Sequence, residues 1–501
     1  MNILQLTFKQ MRQRALSTWL TTLSILLGVA LGVLILILNN NSSLMFGQTD
    51  FGYDALVGPK GSQLQLVFNS VYHIDTSPGN IPYSVYESML RMPSAAPQAT
   101  TAAATQAAEA DDEGTSALPG YRDKVRNAVP FCVGDTYNGK YRIVGTLATI
   151  FGCYDNPDNP ADPQNMTALP DNKVIGYRKD MRFKFAQGRC FNPNVFDPNT
   201  QSFEAIIGSA VADSGDLKLG SIFQATHGEL PPGANPDVHN TKWKVVGVLA
   251  PTYTSADLCV YTPLLTFYTV EEHSVGLKAQ WYLAHNLKAP PATQDPDDID
   301  VYRPVPPNRW ELLVPKKYWE VSGIFIETRG GATLELFNYD VNRNSSAQYM
   351  CVKPASVMLD FFDHFLKHGT FILLLMSGLV TITAAVSIMT TIYNSVTARI
   401  REIAIVRALG ATRGRVLALV CLEAGLVGLM GAALGVVTAL IVSYGIGIYV
   451  LHTLGQPLHW LDLGIWGILY VVGVIILSVL AGLVPGLKAY KTSVAANLVT
   501  V

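Results

Sequence analysis

The chain has 501 residues, of which 49% are hydrophobic and only 15% charged, with a formal net charge of −2 and a mean hydropathy of +0.25. A typical soluble domain carries about 25% charged residues, so this composition excludes an ordinary soluble protein. The balanced charge, with no long basic stripe, gives no sign of nucleic-acid binding, and no nucleic-acid partner is expected.

The apolar residues gather at the two ends, while residues 40–365 have the composition of a soluble domain. In residues 1–39, Lys9, Arg12 and Arg14 precede an uncharged run over 19–38. At about 1.5 Å per residue that run can cross a hydrocarbon core of roughly 30 Å. No small-x-small cleavage site follows it, and polar residues 39–43 come next, which predicts a retained anchor rather than a cleaved signal peptide.

Residues 40–367 are expected to form an α+β domain. Runs at 141–147, 204–207, 243–249, 259–262 and 322–327 read as short strands between Gly, Pro and Asn turns. Residues 85–92 and 263–268 read as helical or turn-like, and the whole is expected to split into two small subdomains. Residues 93–120, rich in Ala, Thr and Ser with Asp111, Asp112 and Glu113, read as a flexible insertion. Residues 156–171 and the Pro- and Asp-rich 288–308 are similar interruptions. The glycine-rich piece Val57, Gly58, Pro59, Lys60, Gly61, Ser62 has the wrong spacing for a phosphate cradle and reads as a turn after a strand.

His73 and Asp75 would share one face of a strand, as half of a metal site or as a surface or locally hydrogen-bonded pair. Cys132, Cys153, Cys190, Cys259 and Cys351 fall in this domain and Cys421 in a later apolar run. An oxidising compartment would allow disulfides, with a thiol left over and the pairing open. Residues 355–367 place Val357, Leu359 or Phe361, Phe362 and Phe365 at near-helical spacing, as a helix leading into the next span, packing on its own domain, or both.

Three further spans are expected: residues 368–394, a helix beginning at 416 within the segment 416–462, and 463–488, followed by a tail over 489–501. The run over 416–451 is too long for one simple span. It must tilt, break or emerge on the far side, with Gly431, Gly435, Gly445 and Gly447 as the places to break, and a membrane helix followed by a short helix or re-entrant piece on the outer face is expected. Its acid, Glu423, is either an intramembrane functional group or a headgroup-level partner of Arg415. The excess of Lys and Arg in the N-terminal tail, in 395–415 and in the C-terminal tail puts all three on the cytoplasmic side. The four-span reading then places residues 40–365 outside.

Residues 394–413 carry the strongest signal. Ile400, Ile403, Ile405, Val406 and Leu409 fall along a helical stripe with arginines on the other faces, and Gly410 stands as a C-cap. A capped amphipathic helix over 396–409, tied to a span at each end, would pass a push from a cytoplasmic partner into both. A plain interfacial helix is the alternative.

Arg399, Glu402, Ile403, Ala404, Arg407, Ala408, Leu409, Gly410, Ala411 and Thr412 resemble the coupling segment of the MacB/FtsX/LolC-type ABC transporter permeases, whose pattern runs roughly R-x-x-E-I-A-x-x-R-A-L-G-A-[ST]. Residues 482–498, the basic stretch and span over 6–38, and residues 247–268 are also similar to that family. The resemblance implies four spans per subunit, a homodimer or a pair with a paralogous permease, and a separate ATPase docked on the cytoplasmic helix. It nominates Arg399, Arg401, Glu402, Ile405, Arg407, Ala408, Leu409, Gly410 and Ala411 as the coupling residues. The chain itself is expected to hold no cofactor and to be non-catalytic, with ATP and Mg²⁺ bound by the partner ATPase. A periplasmic adaptor or lipoprotein is a further expected partner, and the bacterial inner membrane the expected location. The implied function is MacB-like mechanotransmission for export or extraction of a hydrophobic or periplasmic substrate. An FtsX-like regulator of an outer enzyme and a metal-handling component are the alternatives.

Overall fold

The computed structural model describes residues 11–12, 15–46, 51–74, 76–93, 118–155, 166–170, 174–228, 238–270, 301–314, 316–343, 348–454 and 458–491. Asp75, the insertion over 94–117, most of 156–171, residues 288–300 and the last ten residues lie outside them. The chain divides into two units, one built from both ends of the sequence and one from Gln48–Leu359 with Leu454–Gln456.

The first unit is helical. It contains α1 (Ala15–Phe46), α2 (Lys367–Ala398), the short α3 (Ile400–Ala408), α4 (Arg413–Leu454) and α5 (Gly464–Lys491). Four of these, all but α3, are long and apolar enough to cross a membrane. Ile25, Val29, Val33 and Ile37 repeat every four residues on α1 and are buried with Ala384, Ile388, Ile392 and Val396 of α2. That spacing puts each set on one helix face. The opposite faces remain apolar, with Phe371, Leu375 and Leu379 of α2 and Trp466 and Ile476 of α5 exposed. Helices apolar all round suit a lipid environment.

Of the options for this long run the break does not occur: α4 runs uninterrupted for 42 residues, about 63 Å at 1.5 Å per residue, a length that requires tilt or emergence from a bilayer. Its glycines permit close packing. A Cβ on Gly431 would lie 2.6 Å from Ile25 Cβ, and one on Gly435 would lie 2.7 Å from Val29 Cβ. Gly428 faces Ser478 and Gly482 faces Ala424 in the same way, at 2.4 and 2.5 Å. Small residues allow helix backbones to approach where no hydrophobic effect drives association. Where α1 and α2 meet α5, the Tyr470 hydroxyl lies 2.8 Å from Ser377 Oγ and 2.9 Å from Thr381 Oγ1, and donates to the Gly28 carbonyl at 3.3 Å. At the end of α1, Asn41 is bonded to both the amide and the carbonyl of His459.

The second unit is strand-rich and inserted in the chain between α1 and α2. Its main strands are β1 (Ala55–Pro59), β2 (Val125–Tyr137), β3 (Tyr141–Thr146), β4 (Ser202–Ile207), β5 (Ile222–His227), β6 (Val238–Leu249), β7 (Cys259–Pro263), β8 (Gly323–Thr328) and β9 (Tyr349–Val352). They follow the order β5-β6-β4-β7-β3-β2-β8-β1-β9, and two short strands, Phe185–Gly188 and Phe196–Asp197, pair with β6 and β4. An additional pairing of β5 with β2 closes six strands into a ring. The 13-residue β2 serves both the ring and the open extension β8-β1-β9.

Two apolar cores result. One gathers Tyr141, Phe203, Phe223, Trp243 and Val260 from the ring; the other gathers Val57, Val85, Met89, Ile324 and Phe337 from the extension and the helices Tyr83–Leu90 and Thr333–Arg343. Instead of two separate subdomains, one sheet runs through the unit. Beyond β9, helical hydrogen bonding continues over Pro354–Phe361, passes a π-helical turn at Phe362–Leu366 and enters α2.

All six cysteines are free thiols. The piece over 57–62 is the end of β1 followed by a bend at Lys60 and Gly61, as expected, with Gly58 on the strand, where a Cβ would sit 2.6 Å from Leu66 Cδ1.

Candidate functional site: the segment between α2 and α4

The backbone explains the sequence Arg-Ala-Leu-Gly-Ala-Thr at 407–412. The helix α2 ends where Arg399 leaves helical geometry, at φ −111° and ψ 21°. Residues 396–398, expected in the short helix, therefore belong to α2. Then α3 begins at Ile400, with Glu402 in its first turn and Arg407 in its last, each complementing the helix dipole. It stops on a Schellman motif: the Ala411 amide donates to the Val406 carbonyl at 3.2 Å and the Gly410 amide to the Arg407 carbonyl at 3.1 Å. This closure needs a left-handed residue, and Gly410 supplies it at φ +101°. Two residues later Thr412 opens α4, its hydroxyl accepting from the Arg415 amide at 3.4 Å.

The apolar stripe expected on α3 divides in two. Ala404 is buried, and Ile403 is partly buried against the core of the helical unit. Ile405, Val406 and Leu409 are 44%, 50% and 83% exposed. With exposed Glu402 they occupy positions i, i+3, i+4 and i+7, which fall on one helix face. Arg401, Ala408 and Gly410 are also exposed, Ala411 and Arg399 partly so, and Arg407 is half-buried.

Both ends of this segment are tied to α5. Lys488 donates from Nζ to Thr397 Oγ1 at 3.1 Å and lies 3.8 Å from the centroid of the Tyr393 ring. Arg413 stands 5.8 Å from the centroid of the Tyr490 ring. In the sequence Lys488 and Tyr490 read only as part of the C-terminal tail, and Tyr393 and Thr397 do not read as site residues; their contacts with this segment were not expected. The signal available was a cation and an aromatic two residues apart in the last turn of a span.

Other candidates fall elsewhere. Glu423 is half-buried on α4, about 12 Å along the axis from Arg415. His73 is not in a strand: it closes the π-helical turn Phe68–Tyr72 in the left-handed conformation at φ 56°. Its Nδ1 is buried, and it borders a cavity of about 70 Å³ with Tyr53, Tyr72, Phe183 and Tyr261. Burial, aided by the charge of Arg142, pushes the His73 pKa down to about 4. Asp75 lies outside the described residues, so the pair has no observed geometry.

Comparison of the chain with curated proteins gave no significant match. Residues 374–494 match the family described as FtsX-like permease C-terminal, a stretch that takes in most of α2 and all of α3, α4 and α5. Together with the four helices among the described residues that are long and apolar enough to span a membrane, this match supports an ABC-type permease family.

Proposed function

We propose that this chain is the membrane subunit of a MacB-like ABC system and that α3 is the element a separate ATPase pushes. The observation that carries the reading is the exposed face Glu402, Ile405, Val406 and Leu409. Three apolar side chains on one helix face, Ile405, Val406 and Leu409, with the acid Glu402 one turn before them, are what a helix presents to a groove in a partner. Capped at Gly410 and tied to α5 through Lys488 and Arg413, α3 is held at both ends. A force on it would enter α2 and α4 together. The FtsX-like match implies a partner ATPase, which would bind ATP and Mg²⁺.

On this reading α3 and the chain termini face the cytoplasm, the strand-rich unit faces the periplasm, and two permease chains assemble in the inner membrane. Nucleotide-driven movement would then act on the outer unit to extract or export a hydrophobic or periplasmic substrate. A photo-crosslinking amino acid at position 409 should capture an ATPase subunit in native membranes, whereas one at buried position 404 should not. Equal capture at both positions, or none at 409, would remove α3 as the docking element.

A further inference from the structure

Among the described residues, three side chains able to ligate a metal converge at one place in the strand-rich unit: Asp135, His227 and His239. Strand pairing brings them together. Asp135 on β2 and His227 on β5 are directly opposed partners, and they form one of the two residue pairs that close the six-strand ring. On the other side of β5, Thr226 opposes Val238 of β6. The next residue, His239, lies where the β5–β6 register shifts between the pairs Thr226–Val238 and Gln224–Lys242, and its ring centroid stands 5.7 Å from that of His227.

The ligand atoms all lie within 4.8 Å of one another. Asp135 Oδ1 is 3.5 Å from His239 Nε2 and 3.8 Å from His227 Nδ1. Bonds of about 2.0–2.1 Å to a tetrahedral ion place neighbouring ligands roughly 3.3 Å apart, so the two Asp135 edges are close to that spacing and the exposed His227 ring would have to swing inward toward His239 to close the third. The side chains of Asp135 and His239 are 1% and 3% exposed, while that of His227 is 54% exposed. The site is therefore buried on two sides and open on the third.

The surrounding backbone is fixed. Thr136 donates from Oγ1 to the Gly228 carbonyl at 2.6 Å, and Thr226 from Oγ1 to the Thr136 carbonyl at 2.9 Å.

We infer that Asp135, His227 and His239 form a divalent transition-metal site, with Zn²⁺ the ion best suited, that staples the closing seam of the ring. Two imidazoles and a carboxylate match the ligand preferences of Zn²⁺ and leave a position for water or another donor. One ion would join β2, β5 and β6 at the seam that, among the described residues, two residue pairs and the threonine hydrogen bonds hold. This inference is independent of the ATPase reading and assigns no metal transport.

The test uses the full-length protein in detergent, stripped of metal, with Zn²⁺ alone as the probe. Equilibrium dialysis should show one tight Zn²⁺ per chain, and the ion should raise the unfolding temperature, since a ligand bound only to the folded state stabilises it. His227→Ala changes an exposed side chain and should lower Zn²⁺ affinity at least tenfold and abolish the thermal shift, while His73→Ala should change neither. Should His227→Ala impair folding, His227→Gln makes the same comparison. No stoichiometric Zn²⁺ on the wild type, or an unchanged affinity and thermal shift in the folded His227 variant, would overturn the proposal.

Discussion

The Lys488 ammonium sits 3.8 Å from the centroid of the Tyr393 ring while donating to Thr397 one turn further along α2. A single cation thus joins the last turn of α5 to the end of α2 just before the chain turns into α3. An exposed cation–π contact contributes about 0.5–1 kcal/mol, and the hydrogen bond a similar amount. Lys488→Ala is expected to lower stability by about 1–2 kcal/mol with membrane insertion intact. A double-mutant cycle with Tyr393→Leu should give a coupling near 0.5–1 kcal/mol; strict additivity would show that the contact contributes nothing.

The glycines of α4 make a sharper contrast. Gly435→Val would drive a Cβ toward Val29 and the Leu26 carbonyl, and overpacking of this kind costs about 1–3 kcal/mol. Gly445 has nothing within 4 Å of such a Cβ. Gly445→Ala should be neutral or slightly stabilising, because Ala exceeds Gly in helix propensity by up to about 1 kcal/mol. Thermal unfolding in detergent distinguishes the two. Equal effects would contradict the assignment of Gly435 to a close helix crossing.

Position 73 predicts a pH dependence. An unfolded histidine titrates near 6.5, whereas burial holds His73 at about 4. Above pH 6.5 both states are neutral and stability is unaffected. As pH falls through 6.5 the unfolded chain takes up the proton first, so stability declines until about pH 4 and then levels, by at most ~3 kcal/mol. His73→Gln should flatten that part of the profile of apparent unfolding temperature against pH. An identical profile in the variant would show that His73 is not responsible.

The thiols should differ in reactivity. Burial pushes Cys132, Cys259 and Cys351 up to about 12. Half-buried Cys153 is instead held below the ordinary thiol value by a hydrogen bond with the Cys190 thiol. Because the thiolate is the nucleophile, iodoacetamide at pH 8 should label Cys153 at least tenfold faster than the three buried thiols, as read by mass spectrometry. Uniform labelling would refute this ordering.

The long apolar helices and the strands near 141, 204, 243, 259 and 322 were legible because run length and residue type signal them locally. Gly431 and Gly435 were ambiguous, since a glycine can end a helix or let another approach it, and only the neighbouring Ile25 and Val29 decide which. The stripe on α3 was visible, but its division into a packed side at Ile403 and Ala404 and an open side at Val406 and Leu409 depends on the rest of the bundle. The proximity of His73 and Asp75 in sequence suggested a ligand pair, yet His73 closes a helical turn. Asp135, His227 and His239 carry no local signal at all. Strand register alone unites them.

The most direct test of the ATPase reading is purification of the full-length chain from its native membranes with Leu409→Asp, which places a charge in the middle of the exposed α3 face. The account predicts that the wild type brings down vanadate-sensitive ATPase activity and that Leu409→Asp loses at least nine-tenths of it while its membrane level and unfolding temperature stay unchanged. Undiminished ATPase recovery with Leu409→Asp would contradict the account.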